Sequence, residues 1–252
     1  MTDAATLGRA LDELLSPERF RDYGPNGLQV EGRRPIRKIV SGVTASRAFI
    51  EAAIAADADA LLVHHGLFWR GHDGRLTGWL RERVHLLMTH DLHLWAYHLP
   101  LDAHPEWGNN AQLGRQLGLV ADARFGEQDL GFVGDAPATL LGQSARTLAA
   151  LVEQRLGRSV LCIDPGQRPL RRIAWCTGGA QGYFEAAIAA GADAFITGEI
   201  SEPQNHLAHE TGVAFLACGH HATERYGAPA VAAEVARALG LQHEFIDLDN
   251  PA

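Results

Sequence analysis

The sequence predicts an α/β fold of two related lobes produced by an internal duplication, with a metal site in the cleft between them. Three observations carry that expectation. The stretch EAAIAADADALLVHHG, from Glu51, is nearly repeated 134 residues later as EAAIAAGADAFITGEI, from Glu185. The same strand, turn, helix, strand order surrounds both copies, as a duplicated α/β unit requires. Both repeated strands run into polar residues, His64-His65 in the first copy and Gly198-Glu199 in the second.

The elements follow in order. VSGVTAS at 40–46 and AWCTGGAQG at 174–182 each read as a short apolar strand running into small residues. The EAAIAA cores have high helix propensity, and Asp57 and Gly191 mark the helix ends. ALLV at 60–63 and AFIT at 194–197 read as the next strands, completing a parallel β-α-β unit with a right-handed crossover in each half. HLLMTH at 85–90 and VAFLACGH at 213–220 are expected to add a further strand to each half. The expected lobes are residues 1–125 and 126–252, with 218–252 able to pack back against the first. Ligands of parallel α/β sheets bind beyond the carboxyl ends of the strands. If the halves face each other, the ends at His64-His65, Thr89-His90, Gly198-Glu199 and Gly219-His220 converge in one cleft. The plainer reading of the repeat is that alanine-rich helices resemble one another; the shared order of elements speaks against it.

Composition narrows the function. With 252 residues, 46% hydrophobic, and a formal charge of -8, the chain has the make-up of a soluble globular protein and lacks the basic face of a duplex nucleic-acid binder. The cluster Arg33, Arg34, Arg37, Lys38 reads as a solvated turn. Cys162, Cys176 and Cys218 have no metal-like spacing and read as free thiols, which suits a reducing compartment. The N-terminus shows no signal-peptide pattern, and no run of apolar residues is long enough to span a membrane. A cytoplasmic location without membrane attachment is expected.

Of 13 histidines, most fall in two windows, 64–104 and 206–221. In LLVHHG, adjacent side chains on a strand point different ways, so His64 and His65 suit two neighbouring ions better than one; one exposed and one hydrogen-bonded histidine is the alternative. In CGHHATER, His220 and Glu224 stand four apart and share a face if a helix starts near His221; an ordinary helix N-terminus with a glutamate in its first turn is the alternative. The stretch THDLHLWAYHLPLDAHPEWGNN carries His90, His93, His98, Asp102 and His104. Pro100 and Pro105 exclude one continuous helix, so it reads as an irregular loop over a strand end, with a metal role for one or more of these side chains. TGGAQG at 177–182 is either a phosphate-holding turn or simply a tight one.

Taken together, GPNGLQVEG, LLVHHGLFW, AYHLPLDAHPEWGNN, TGGAQ, TGE and GHHATERYG resemble the Nif-three-like family, over about Leu7 to Leu241. Its bacterial members carry the label GTP cyclohydrolase I type 2 homologue. The resemblance implies two related α/β lobes, a toroidal homohexamer and a dinuclear metal site in the cleft between lobes. It implies His64, His65, Asp102, His220 and Glu224 as ligands, and His98 close to the metals. It also places the motif holding Asn26 and Gln29 at the cleft, as candidate substrate-binding residues, although a plain turn explains them too. Many relatives have proline after the histidine pair; here it is Gly66.

Three imidazoles and two carboxylates, with no thiolate, suit iron, manganese, zinc or nickel better than calcium. Five side chains leave positions on two ions for water or substrate. Two divalent cations against Asp102 and Glu224 leave the site positive by about two charges, which favours a small anionic substrate such as a nucleotide. The expected activity is dinuclear metal-dependent hydrolysis of a nucleotide or other phosphate-bearing substrate, with His98 or Glu199 moving protons; ring hydrolysis of the GTP cyclohydrolase type is the version the family label implies. The alternative is a non-catalytic metal-binding hexameric scaffold or interaction protein.

Overall fold

The computed structural model describes residues 1–166 and 168–252. In chain order the elements are α1 (Ala4–Leu15), β1 (Gly27–Val30), β2 (Lys38–Thr44), α2 (Arg47–Ala55), β3 (Ala60–His65), α3 (Gly78–Thr89), β4 (His93–Ala96) and α4 (Leu99–Ala103). There follow α5 (Asn109–Leu117), β5 (Ala123–Phe125), β6 (Gly131–Asp135), α6 (Ala145–Leu156), β7 (Leu161–Ile163), β8 (Arg172–Trp175), α7 (Phe184–Ala189) and β9 (Ala194–Thr197). The last are α8 (Glu202–Thr211), β10 (Ala214–Ala217), α9 (His220–Glu224), α10 (Gly227–Leu239) and β11 (Gln242–Phe245). They form two compact units: Met1–Gly108 with Arg225–Asp249, and Asn109–Glu224 with Asn250–Ala252. The chain thus changes unit at 108/109, and 225–249 returns to the first.

The first unit holds a five-stranded sheet, β1-β4-β3-β2-β11, parallel except for β1. Its inner strands β2, β3 and β4 are buried on both faces, as a parallel sheet covered by helices requires, while the edge strands β1 and β11 are partly exposed. Leu62 packs with Leu7, Leu11, Trp95, Val231 and Val235 on one side. Its neighbours Leu61 and Val63 pack with Phe49, Ile50, Leu80 and Leu87 on the other. In α1, Asp3 caps the start by accepting from Thr6 N–H at 2.7 Å, and Leu7, Leu11 and Leu15 form the buried stripe. In α2, Ser46 accepts from Phe49 N–H at 3.1 Å.

Two sequence expectations need correction here. HLLMTH at 85–90 is not a strand but the last turns of α3, whose buried Leu80, Val84 and Leu87 follow helical spacing. The strand is β4, immediately after it. The stretch 89–110 is accordingly not one irregular loop: it holds β4, the short α4 with Pro100 in its first turn, and the start of α5.

The second unit holds a six-stranded sheet, β5-β6-β8-β9-β10-β7. Its middle repeats the first unit. The parallel registers Ile39↔Ala60 and Ile173↔Ala194 correspond, and an antiparallel edge strand lies beside β4 and β10 alike. The repeated aspartate has a structural reason. Asp59 Oδ2 accepts from Arg37 and Lys38 N–H at 2.8 and 3.2 Å; Asp193 Oδ2 accepts from Arg171 and Arg172 N–H at 2.9 and 3.0 Å. Each carboxylate closes the same turn before its strand. The copies part at the sheet position outside β2 and β8, filled by the parallel β11 in one unit and the antiparallel β6 in the other. The three cysteines are free thiols, Cys176 and Cys218 buried and Cys162 half-buried. Among the described residues no helix is long and apolar enough to cross a membrane.

Candidate metal centre

In the first unit the end of β3 carries His64, fully buried, and His65, half-buried. Strand alternation would part their side chains, yet the strand ends there and the ring centroids lie 4.5 Å apart. His98, just before α4, stands 5.0 Å from His64 and 5.8 Å from His65. The three histidines offer ligand nitrogens within 4.8 Å of one another, a grouping able to hold a metal ion. Asp102, buried on α4, brings Oδ1 to 3.5 Å from His64 Nε2.

Each ring is held through Nδ1. His64 Nδ1 lies 3.1 Å from the Tyr97 carbonyl, His65 Nδ1 3.0 Å from the Thr44 hydroxyl, and His98 Nδ1 2.7 Å from Asp22 Oδ1. A carbonyl and a carboxylate accept, so His64 and His98 donate from Nδ1, and Nε2 is the ring nitrogen on the far side from that anchor. This is the outer-shell arrangement usual for metal-binding histidines.

Asp22 escapes sequence reasoning, because its partner lies 76 residues away. Its side chain is 3% exposed and also accepts from the N–H groups of Tyr23 and Leu99 and from the Asn26 amide, at 2.6, 2.8 and 2.9 Å. Burial works against its charge, but His98, Asn26 and Leu99 together outweigh that and hold the carboxyl below its usual range. Stability linked to Asp22 is therefore present above the unfolded carboxylate value and lost as pH falls through the lowered folded value. Asp22→Asn is expected to cost about 1.5–3 kcal/mol at neutral pH, the range of hydrogen bonds to a charged group. Denaturant titrations should show that difference shrinking below about pH 4.

Asn26 and Gln29 are placed as loop fasteners. Asn26 Oδ1 accepts from His98 N–H at 2.7 Å. Gln29 accepts from Leu67 N–H at 2.8 Å and donates to the Pro25 carbonyl at 2.9 Å. A Cβ at Gly66 would run into the Gln29 amide, so glycine after the histidine pair goes with the glutamine seated there. Of the other histidines in the loop motif, His93 bridges Gly32 N–H and the Arg34 carbonyl, and His104 accepts from Trp107 N–H within its own turn.

In the second unit, α9 places His220 Nε2 at 3.1 Å from Glu224 Oε2. His220 Nδ1 lies 2.6 Å from Glu199 Oε1, repeating the Nδ1 anchoring seen in the first unit. The hydrogen bond with Glu224, aided by Glu199 and only partly offset by burial, pushes the His220 imidazole up to about 9. Glu199 is thus placed to orient His220. Of the glycines in TGGAQG, Gly178 lies tightly against the His220 and Glu224 pair. A Cβ on Gly178 would overlap Glu224 Oε1 and stand 3.1 Å from His220 Nε2. With Glu224 beside it, close approach of backbone to side chain explains the glycine at 178.

The donor set fits a divalent transition metal: imidazole nitrogens and buried carboxylates, each histidine oriented from behind. The family model described as Duf34/NIF3 (NGG1p interacting factor 3) matches residues 2–251. A Neisseria meningitidis serogroup A protein named GTP cyclohydrolase 1 type 2 homolog is 52% identical over 244 residues, covering 96% of each chain. A Pseudomonas aeruginosa protein of the same name is 51% identical over 253 residues, covering 98% of each. Among solved structures, protein ybgI, described as of unknown function, matches with TM-score 0.93 at 43% identity, both chains covered in full. HcgD of Methanocaldococcus jannaschii shares the fold, with TM-score 0.77 at 20% identity, covering 99% of this chain and 98% of its own.

Proposed function

The chain belongs to the Duf34/NIF3 family, and from that premise we propose that it is a metal-dependent hydrolase. In this reading it uses two divalent ions, of iron, manganese, zinc or nickel, and acts on a nucleotide or another phosphate-bearing substrate. The observation that carries the proposal is the imidazole trio formed by buried His64 and half-buried His65 at the end of β3 with half-buried His98 before α4, its rings held through Nδ1. We assign His64, His65 and Asp102 of the first unit and His220 and Glu224 of the second as ligands. That both sets serve the same pair of ions is part of the proposal. Its support is the resemblance of their motifs and the donor count, three from one unit and two from the other.

Bound there, the ions would supply Lewis acidity and positive charge for hydrolysis. The chain supplies the rest. His98, its Nδ1–H donated to Asp22, is set to take or give a proton at Nε2. Glu199 fixes the His220 ring through Nδ1 and turns Nε2 toward Glu224. The excess positive charge favours an anionic substrate, and ring hydrolysis of the GTP cyclohydrolase type is one reaction such a site would serve. The resemblance of its motifs also leads us to propose a homohexamer, which light scattering in solution checks.

The raised His220 pKa makes metal binding a proton-linked event. Below about pH 9 the imidazolium must lose its Nε2 proton before that nitrogen can ligate. Metal affinity is expected to rise about tenfold per pH unit through neutrality and to level off near pH 9, with proton release on binding. Metal titrations from pH 6 upward read both. Function is tested by assaying manganese-loaded protein against nucleotides and simple phosphoesters. Product released by the wild type and lost in His64→Ala supports the hydrolase. No turnover of any substrate, with metal still bound, returns the chain to the non-catalytic scaffold reading.

A further inference from the structure

Beside the imidazole trio the first unit exposes two aromatic rings that the metal reading does not use. Trp69 is 37% exposed and Tyr23 53% exposed. Both touch the histidines. Trp69 lies 5.1 Å from His98, at 89° to it, and 5.9 Å from His65; Tyr23 lies 6.0 Å from His98. A cation joins them. Arg70 donates from Nη2 to the Asp22 carbonyl at 2.8 Å, and its Cζ stands 5.8 Å from the centre of the Tyr23 ring.

The rim is built rather than incidental. Gly24 lets the loop after Asp22 close against the strap after β3: a Cβ there would overlap the Phe68 carbonyl and lie 3.4 Å from Trp69 Cε3. The loop that orients His98 through Asp22 therefore also seats Trp69. From this we infer that Trp69, with Tyr23 and Arg70 at its side, is the base-stacking subsite of the centre, and that the substrate carries a planar heteroaromatic ring together with its anionic group. The inference rests on the hydrolase reading for what the site acts on. Aromatic faces accept any flat heterocycle, and arginine adds attraction to both ring and phosphate. A ring stacked on Trp69 stands perpendicular to the His98 imidazole and within reach of the trio. A sugar phosphate or an unsubstituted phosphoester would leave both rings uncovered.

The test compares GTP with inorganic triphosphate, which has the charge but no ring, on manganese-loaded protein by calorimetry and tryptophan fluorescence. Wild type is expected to bind GTP more tightly than triphosphate. Trp69→Ala should weaken GTP binding by about 5- to 150-fold, the range for loss of one base–aromatic stack, and leave triphosphate unchanged. Trp69→Phe should still bind GTP while losing the fluorescence quench, and Trp79→Phe should keep the quench. If Trp69→Ala does not fold, the two phenylalanine variants decide. The inference is overturned if the wild type binds GTP no better than triphosphate, if Trp69→Ala weakens both equally or neither, or if Trp69→Phe keeps the quench. Ring-selective binding without product would keep the subsite and remove the hydrolase. Equal hydrolysis of both ligands by wild type and Trp69→Ala would do the reverse.

Discussion

Glu224→Gln is expected to fold and to lose divalent-metal affinity by at least about 100-fold, beyond the range seen for outer-shell changes. Glu224 is 3% exposed, and its Oε2 lies 3.1 Å from His220 Nε2. Glutamine keeps the shape and removes the charge. Two effects then act together. The oxygen proposed as a ligand loses the negative charge that would offset two cations, and His220 loses the first of the partners that raise its pKa. The variant's remaining metal affinity should accordingly level off at lower pH than the wild type's. His221→Ala is the control: in the proposed assignment its neighbour His220 supplies the ligand nitrogen, so metal affinity should change little. Manganese titration of both variants, followed as bound metal, reads the difference. If His221→Ala loses metal while Glu224→Gln keeps it, the motif is being read in the wrong register.

Gly178→Ala should damage fold and site together. Gly178 has φ +71°, where an L-residue with a side chain costs about 1–2 kcal/mol, and its added Cβ would overlap Glu224 Oε1. The backbone has little room to yield. Gly178 N–H donates to the Thr223 hydroxyl at 2.9 Å, and its carbonyl accepts from Gly198 N–H at 2.8 Å. We expect a loss of at least about 2 kcal/mol of stability and a fall in metal affinity approaching that of Glu224→Gln. Gly182→Ala, in the same loop but with nothing within 4 Å of its Cβ, should do neither. Parallel thermal melts and metal titrations separate the two consequences.

The duplication was legible because it writes the same residues twice at one spacing, and the turn-closing Asp59 and Asp193 show what that spacing preserves. The His64-His65 and His220/Glu224 motifs were legible because their members are close in sequence. Asp22 was not, since nothing local marks a carboxylate whose partners are His98 and Leu99. The misread HLLMTH shows a different limit. Three consecutive apolar residues in six fit a buried strand as well as the end of a helix, and only the longer window back to Gly78, with Leu80 and Val84 on the buried face, decides for helix. The glycines at 178 and 179 were visible, but whether they cradle an anion or make room for a carboxylate depends on which side chains the fold brings up to them.

A crystal of the protein soaked in manganese, with anomalous scattering recorded at the manganese edge, tests the central claim most directly. The account predicts about two strong peaks per chain, liganded by His64, His65, Asp102, His220 and Glu224, with His98 and Glu199 outside the first coordination shell. A single peak, or peaks bound to only one unit's residues, would contradict it.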